Sequence, residues 1–178
     1  MSATSTFEKW VSTRRLVRPN QEDPSFVDLA QALATLNGLG SGKERPQTQK
    51  ILDTIGETDH LIFVLVDALG VHFVEDLPED SFLRSNLKQG IRSVYPSSTA
   101  PALTSLATAV WPGSHAVTAW WTHLPEFNLT ATILPFVDRV TGEDLSKKNI
   151  TMEKAFPQTS LSAQFKRKVR SFLPAHIS

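Results

Sequence analysis

The chain has no cysteine. That excludes disulfides, thiolate metal sites and a cysteine nucleophile, and it suits a reducing compartment. Charge of one sign is not in excess either: lysine plus arginine and aspartate plus glutamate each number 18, so the formal net charge is zero. Nothing in that balance favours a nucleic-acid polymer or an anionic membrane surface as partner. Only KRKVR at 166–170 is locally basic, and such a run reads as a solvated helix face. Long hydrophobic runs are missing. The longest, LIFVLVDALGVHFV at 61–74, carries Asp67 and His72 and is too short and too polar to span a membrane. The opening MSATSTFEKWVSTRR lacks the apolar stretch of a signal peptide. These gaps together predict a soluble, cytoplasmic protein, in which the sequons at Asn128 and Asn149 carry no meaning. No internal repeat or low-complexity tract occurs.

The 178 residues, 40% of them apolar and 20% charged, are enough for one domain with a real core. The start is expected to be loosely ordered, with a short helix around 7–11. Phe26, Leu29, Leu33 and Leu36 recur at helical spacing before Gly38 and Gly40, and TQKILDTIG at 48–56 predicts a second helix with a glycine stop. Residues 1–59 thus read as an N-terminal helical extension. The character changes at HLIFVLVDALG, 60–70. Ile62 to Val66 form a continuous apolar run of strand length, as in a strand buried on both faces.

Short helices are expected over VHFVEDL and 81–90, a strand over 91–96 and a helix over 101–110. A third strand is expected over 129–137, a helix over 160–169, and a strand beginning in the tail RSFLPAHIS. The order β-α-β-α-β-α predicts an α/β fold, a mostly parallel sheet flanked by helices, over 60–178.

Two features then carry chemistry. Asp67 ends the first expected strand, where ligands gather in open α/β sheets. Ser97, Ser98 and Thr99 end the second and lead into a helix, whose unpaired N–H groups attract phosphate-like anions. A hydroxyl there becomes a nucleophile if its pKa is lowered, for instance by a divalent cation held on an Asp. The local sequence also fits plain helix capping by Ser98 or Thr99. Pro101 is tolerated in a first turn but disfavours a helical Ala100.

VLVDALG at 64–70 and YPSSTAPALTSLATAVWPGSHAV at 95–117 resemble the type I phosphodiesterase/nucleotide pyrophosphatase family of the alkaline phosphatase superfamily. The resemblance implies an alkaline-phosphatase-like α/β domain and two divalent metal ions, usually zinc. It makes Asp67 a metal ligand and Thr99 both the nucleophile and a ligand. The Ala100 amide would help hold a phosphate oxygen. The implied activity is hydrolysis of phosphodiester, pyrophosphate or related small phosphoryl substrates. Ala102 stands where many nucleotide pyrophosphatases carry an Asn. The family's later ligands include an Asp-His-Gly motif, and none follows Thr99. The resemblance therefore implies the N-terminal part of a catalytic domain, an incomplete domain inactive as given. A sulfatase is disfavoured because no Arg follows Pro101 at the spacing of that family's modification motif. The alternative is a non-catalytic α/β module, or a degenerate family member without bound metal.

The remaining candidates read more simply. His115 is expected to be a packed, hydrogen-bonded residue, and His60, His72 and His123 structural or exposed. Trp111, Trp120 and Trp121 read as packing, with Trp120 and Trp121 also candidates for lining the site.

Overall fold

Ser25 opens the central helix. In the computed structural model, which describes residues 3–13, 15–16, 22–156 and 158–172, the Ser25 and Asp28 side chains form a reciprocal capping box. The Asp28 amide donates to Ser25 Oγ at 3.2 Å and the Ser25 amide donates to Asp28 Oδ2 at 2.9 Å. Helix α2 (Phe26–Ala34) follows. None of its residues is exposed, which is the mark of a helix packed on all sides. A π-type turn over Thr35–Leu39 ends it, with Gly38 in the left-handed region at φ 86°. Helix α3 (Pro46–Ile55) starts on a proline at its first position and stops at Gly56, φ 73°. Asp28 also ties α3 to α2: its carboxylate accepts from Thr48 Oγ1 at 3.2 Å and lies 3.3 Å from the Arg45 guanidinium.

Three further helices are short or peripheral: α1 (Ala3–Ser12), α4 (Val71–Glu75) and α5 (Phe82–Ser85). Helix α6 (Thr99–Thr108) packs against α2, and α7 (Pro112–His115) folds back on α6. Helices α2 and α3 and the helix bearing the hydroxyl triplet thus share one packed unit.

Beyond α7 lies a small antiparallel meander, β1 (Trp121–Leu124), β2 (Leu129–Thr132) and β3 (Val137–Asp138). Trp121 pairs with Thr132 and Leu124 with Leu129. Helix α8 (Met152–Ala155) closes this part. Its core joins Ala100 and Val117 to Leu124, Ala131, Ile133, Leu145, Ile150 and Phe156.

The expected mostly parallel sheet does not form. Among the described residues there are eight α-helices and one three-stranded antiparallel sheet. Residues 61–66 are non-helical and make no backbone hydrogen bond to any other described segment. The strand over 91–96 shrinks to one parallel bridge, in which the Phe26 amide donates to the Arg92 carbonyl at 2.8 Å and the Arg92 amide to the Pro24 carbonyl at 2.9 Å. The segment 129–137 pairs backward instead of joining 61–66. A turn over Pro125–Phe127 and left-handed Asn128 (φ 48°) link β1 to β2 directly. Such a hairpin closes with little loop entropy, whereas a parallel neighbour needs a long crossover.

The helix expected over 160–169 is only a 3-10 turn at Ser162–Gln164. Backbone bonds from Leu161 to the Ala107 carbonyl and from Lys166 to the Asn37 carbonyl, 2.8 and 3.0 Å, fix this stretch to the helices, and Arg167 reaches the Thr58 carbonyl at 2.9 Å. KRKVR is therefore no helix face. Of the tail, 170–172 is not strand, and 173–178, with His176, lies outside the described residues.

Candidate functional site

The hydroxyl triplet sits where its sequence placed it, at a helix start. Ser98 is the N-cap residue, with extended backbone (φ −124°, ψ 162°), and its carbonyl accepts the first helical bond from Ala102 at 3.1 Å. Its side chain makes no capping hydrogen bond. Thr99 is the first helical residue and half-buried, whereas Ser97 and Ser98 are exposed. The amides of Thr99 and Ala100 lie in the turn that has no intrahelical acceptor. Pro101 removes one further donor from that turn. The helix dipole adds positive potential at the same point.

What fixes this helix end is burial of its opposite side. Ala100 and Ser105 have no solvent exposure, and Pro101 is also fully buried. Ala100 belongs to the core cluster, so a phosphate oxygen reaches its amide only if the first turn opens; the Thr99 amide is the more accessible donor.

His115 holds the far end. Its Nδ1 accepts from the Val117 amide at 3.1 Å, so the ring proton sits on Nε2, which faces Ser105 Oγ at 3.0 Å. In that tautomer the ring donates toward the serine and does not draw its proton. Ser105 and His115 are therefore a buried strut between α6 and α7, not a catalytic dyad. Burial pushes the imidazole below its ordinary pKa, against the opposing pull of the Pro101 carbonyl.

The sign of the pH dependence follows. The unfolded chain binds a proton near pH 6.5 and the folded chain only below that. The stability from neutral His115 is fully present above pH 6.5 and is lost as the pH falls through the lower folded value. Replacing His115 by glutamine should flatten this acid slope in urea titrations at several pH values, while costing about 1–2 kcal/mol at neutral pH.

Asp67 is placed differently from the expectation. It is exposed, in a turn that follows residues 61–66. Its Oδ1 accepts from the Ala68 amide at 2.9 Å, and Ala68 adopts φ 61°. This is the turn-capping role of a short acidic side chain. No hydrogen bond links Asp67 to Thr99. Among the described residues no group of three His, Cys, Asp or Glu side chains is gathered closely enough to hold a metal ion. Catalytic zinc uses about three protein ligands. One carboxylate and one hydroxyl do not meet that, so the donor set does not fit the two-metal centre that the resemblance implies.

His60, His72 and His123 are exposed, with the His72 ring beside Phe73 at 4.2 Å. Trp120 and Trp121 are both exposed, and the Arg139 guanidinium lies over the Trp121 ring, 4.0 Å from its centroid. Sequence reasoning missed three polar networks: Asp28 with Ser25, Thr48 and Arg45; Ser105 with His115; and Asp138, which accepts from the Val140 amide and from Lys148 Nζ. The pattern Ser25-x-x-Asp28 before an apolar run was a readable signal for the first. The Ser105–His115 and Asp138–Lys148 contacts join residues ten apart, with no periodic signature.

No family model, no curated protein and no solved structure matches this chain. No helix among the described residues is long and apolar enough to cross a membrane.

Proposed function

We propose that the chain carries the nucleophile segment of a hydrolase acting on phosphodiester, pyrophosphate or related phosphoryl substrates, with Thr99 as the reacting residue. The observation that supports this reading most is at the start of α6. A hydroxyl side chain occupies the first helical position, beside an unpaired amide, and the neighbouring Ser98 hydroxyl is not used for capping. Thr99 Oγ would form a bond to phosphorus, the bond from phosphorus to the leaving oxygen would break with its electron pair on that oxygen, and the Thr99 proton would pass through solvent to the departing group. A free hydroxyl is a weak nucleophile at its own pKa. Zinc, the cofactor the resemblance implies, would activate it, but needs ligands beyond Asp67 and Thr99. Release of the phosphoryl group by water is therefore not expected of this chain, whereas attack by Thr99 on a reagent with a good leaving group is.

The test is a titration with phenylphosphonate, a non-hydrolysable phosphoryl analogue, followed by amide shifts in a 15N spectrum. Ser98 and Thr99 are expected to move together and saturate, and Thr99→Val to weaken the response several-fold. Shifts scattered over the surface, or none, would refute the reading.

A second reading, a module without bound metal or catalysis, is favoured by the turn-capping use of Asp67. Zinc held by the purified chain and lost on Asp67→Ala supports the metallohydrolase; a chain that takes up none fits the module, or a nucleophile segment whose further ligands it lacks.

A further inference from the structure

Between residues 57 and 90 the one buried residue is Val74. There, Ile62, Val64 and Val66 are 87%, 72% and 57% exposed, and the alternate residues Phe63 and Leu65 are 42% and 46% exposed. Leu69, Val71, Phe73, Phe82, Leu83 and Leu87 continue the apolar exposure along the same stretch. Eleven of the 21 exposed large apolar side chains among the described residues fall between 62 and 87, a concentration that marks an interaction surface and not scattered exposure.

The backbone makes the same point. Over 61–66 both edges lack hydrogen bonds to any other described segment. Water satisfies those groups in a solvated loop, but a β-branched and aromatic run with apolar side chains on both faces is a template for strand pairing.

We propose that residues 61–66 pair with the same residues of a second copy, antiparallel, to form a homodimer. The segment itself points to this occupant. Its complement must be extended, apolar and uncharged, and 61–66 carries no charged residue. Asp67 sets the direction. Antiparallel pairing keeps the two Asp67 carboxylates at opposite ends of a six-residue ladder, about 20 Å apart. Parallel in-register pairing would set them side by side, where like charges repel. The exposed side chains of 69–87 from both copies then flank the two-stranded ribbon. This inference is independent of the phosphoryl reading.

Light scattering after size exclusion, with hydrogen exchange on the same sample, tests it. The expected mass is twice the 19.7 kDa of the chain, with slowed exchange across 61–66. Val64→Lys at the ladder centre should give a monomer with fast exchange there. Val140→Lys, in an exposed position outside the stretch, should remain dimeric. Because Val64 is largely exposed, unchanged helical circular dichroism is expected for both variants, and Ile62→Lys repeats the test if Val64→Lys loses its helix signal. A monomeric parent chain at its highest soluble concentration would overturn the proposal. So would a dimer that survives both lysine variants, a polydisperse aggregate, or protection of 61–66 that appears only when a different polypeptide is added.

Discussion

Asp28→Ala is expected to cost about 3 kcal/mol, one of the two largest losses for a single substitution in this chain. Asp28 is fully buried, and its carboxylate accepts from the Ser25 amide, from Ser25 Oγ at 2.6 Å and from Thr48 Oγ1. Removing it breaks the reciprocal half of the capping box, although Ser25 Oγ still caps α2 through the residue-28 amide. It also leaves the buried Ser25 amide without an acceptor. The Arg45 side chain is 31% exposed, so water can take over its part, and the full cost of orphaning a buried charge does not apply. Asp28→Asn keeps one oxygen acceptor and should cost about half as much. Urea denaturation of the two variants checks the order. Equal losses for both would show that charge, not capping geometry, dominates at this position.

Leu145→Ala should match it at about 3 kcal/mol, which for a chain of this size lowers the melting temperature by roughly 10 °C. Leu145 has no exposed surface and heads the fully buried side chains by volume. It packs with Ala131, Ile133, Ile150 and Phe156, and its amide donates to the Phe136 carbonyl at 3.2 Å. The backbone bonds on both sides of Leu145 limit how far the loop can collapse into the void. Leu145→Met, which nearly conserves volume, should lose less than about 1.5 kcal/mol. A melting point unchanged by Leu145→Ala would mean that the meander core contributes little to the cooperative unit.

Local signals were legible in the sequence where local physics decides. The helical spacing over 26–36, the helix at 48–56 and the helix at 101–110 appear as α2, α3 and α6, each with a cap or stop that the sequence displays. The reading of His115 as packed and hydrogen-bonded also agrees with its contacts. Pairing was not legible. The run 61–66 reports that its residues favour an extended, apolar setting, but it names no neighbour, and none is formed among the described residues. The direction of 129–132 was set by the left-handed residue Asn128, which a count of apolar residues does not weigh. At 160–169 a helical pattern gave way to tertiary backbone bonds with Ala107 and Asn37.

The candidate site divides along the same line. Ser98 takes the N-cap position and Thr99 the first helical position, as the preference of Ser and Thr for helix starts suggests, although no side-chain cap bond forms. The relation of Thr99 to Asp67 depended on two strands sharing one parallel sheet, and among the described residues no such sheet forms. Thr99 therefore stands on its helix terminus, and Asp67 on its turn.

The most direct measurement is the order in which the three hydroxyls react with an activated p-nitrophenyl phosphonate. In that reaction a bond forms from the hydroxyl oxygen to phosphorus, nitrophenolate leaves with the electron pair, and the hydroxyl proton passes to the buffer. Ser97 and Ser98 are the more exposed, so chemistry governed by access alone labels them first. Peptide mapping at partial reaction should instead find the label on Thr99, with Thr99→Ala abolishing it. Label on Ser97 or Ser98 ahead of Thr99 would contradict the assignment of Thr99 as nucleophile.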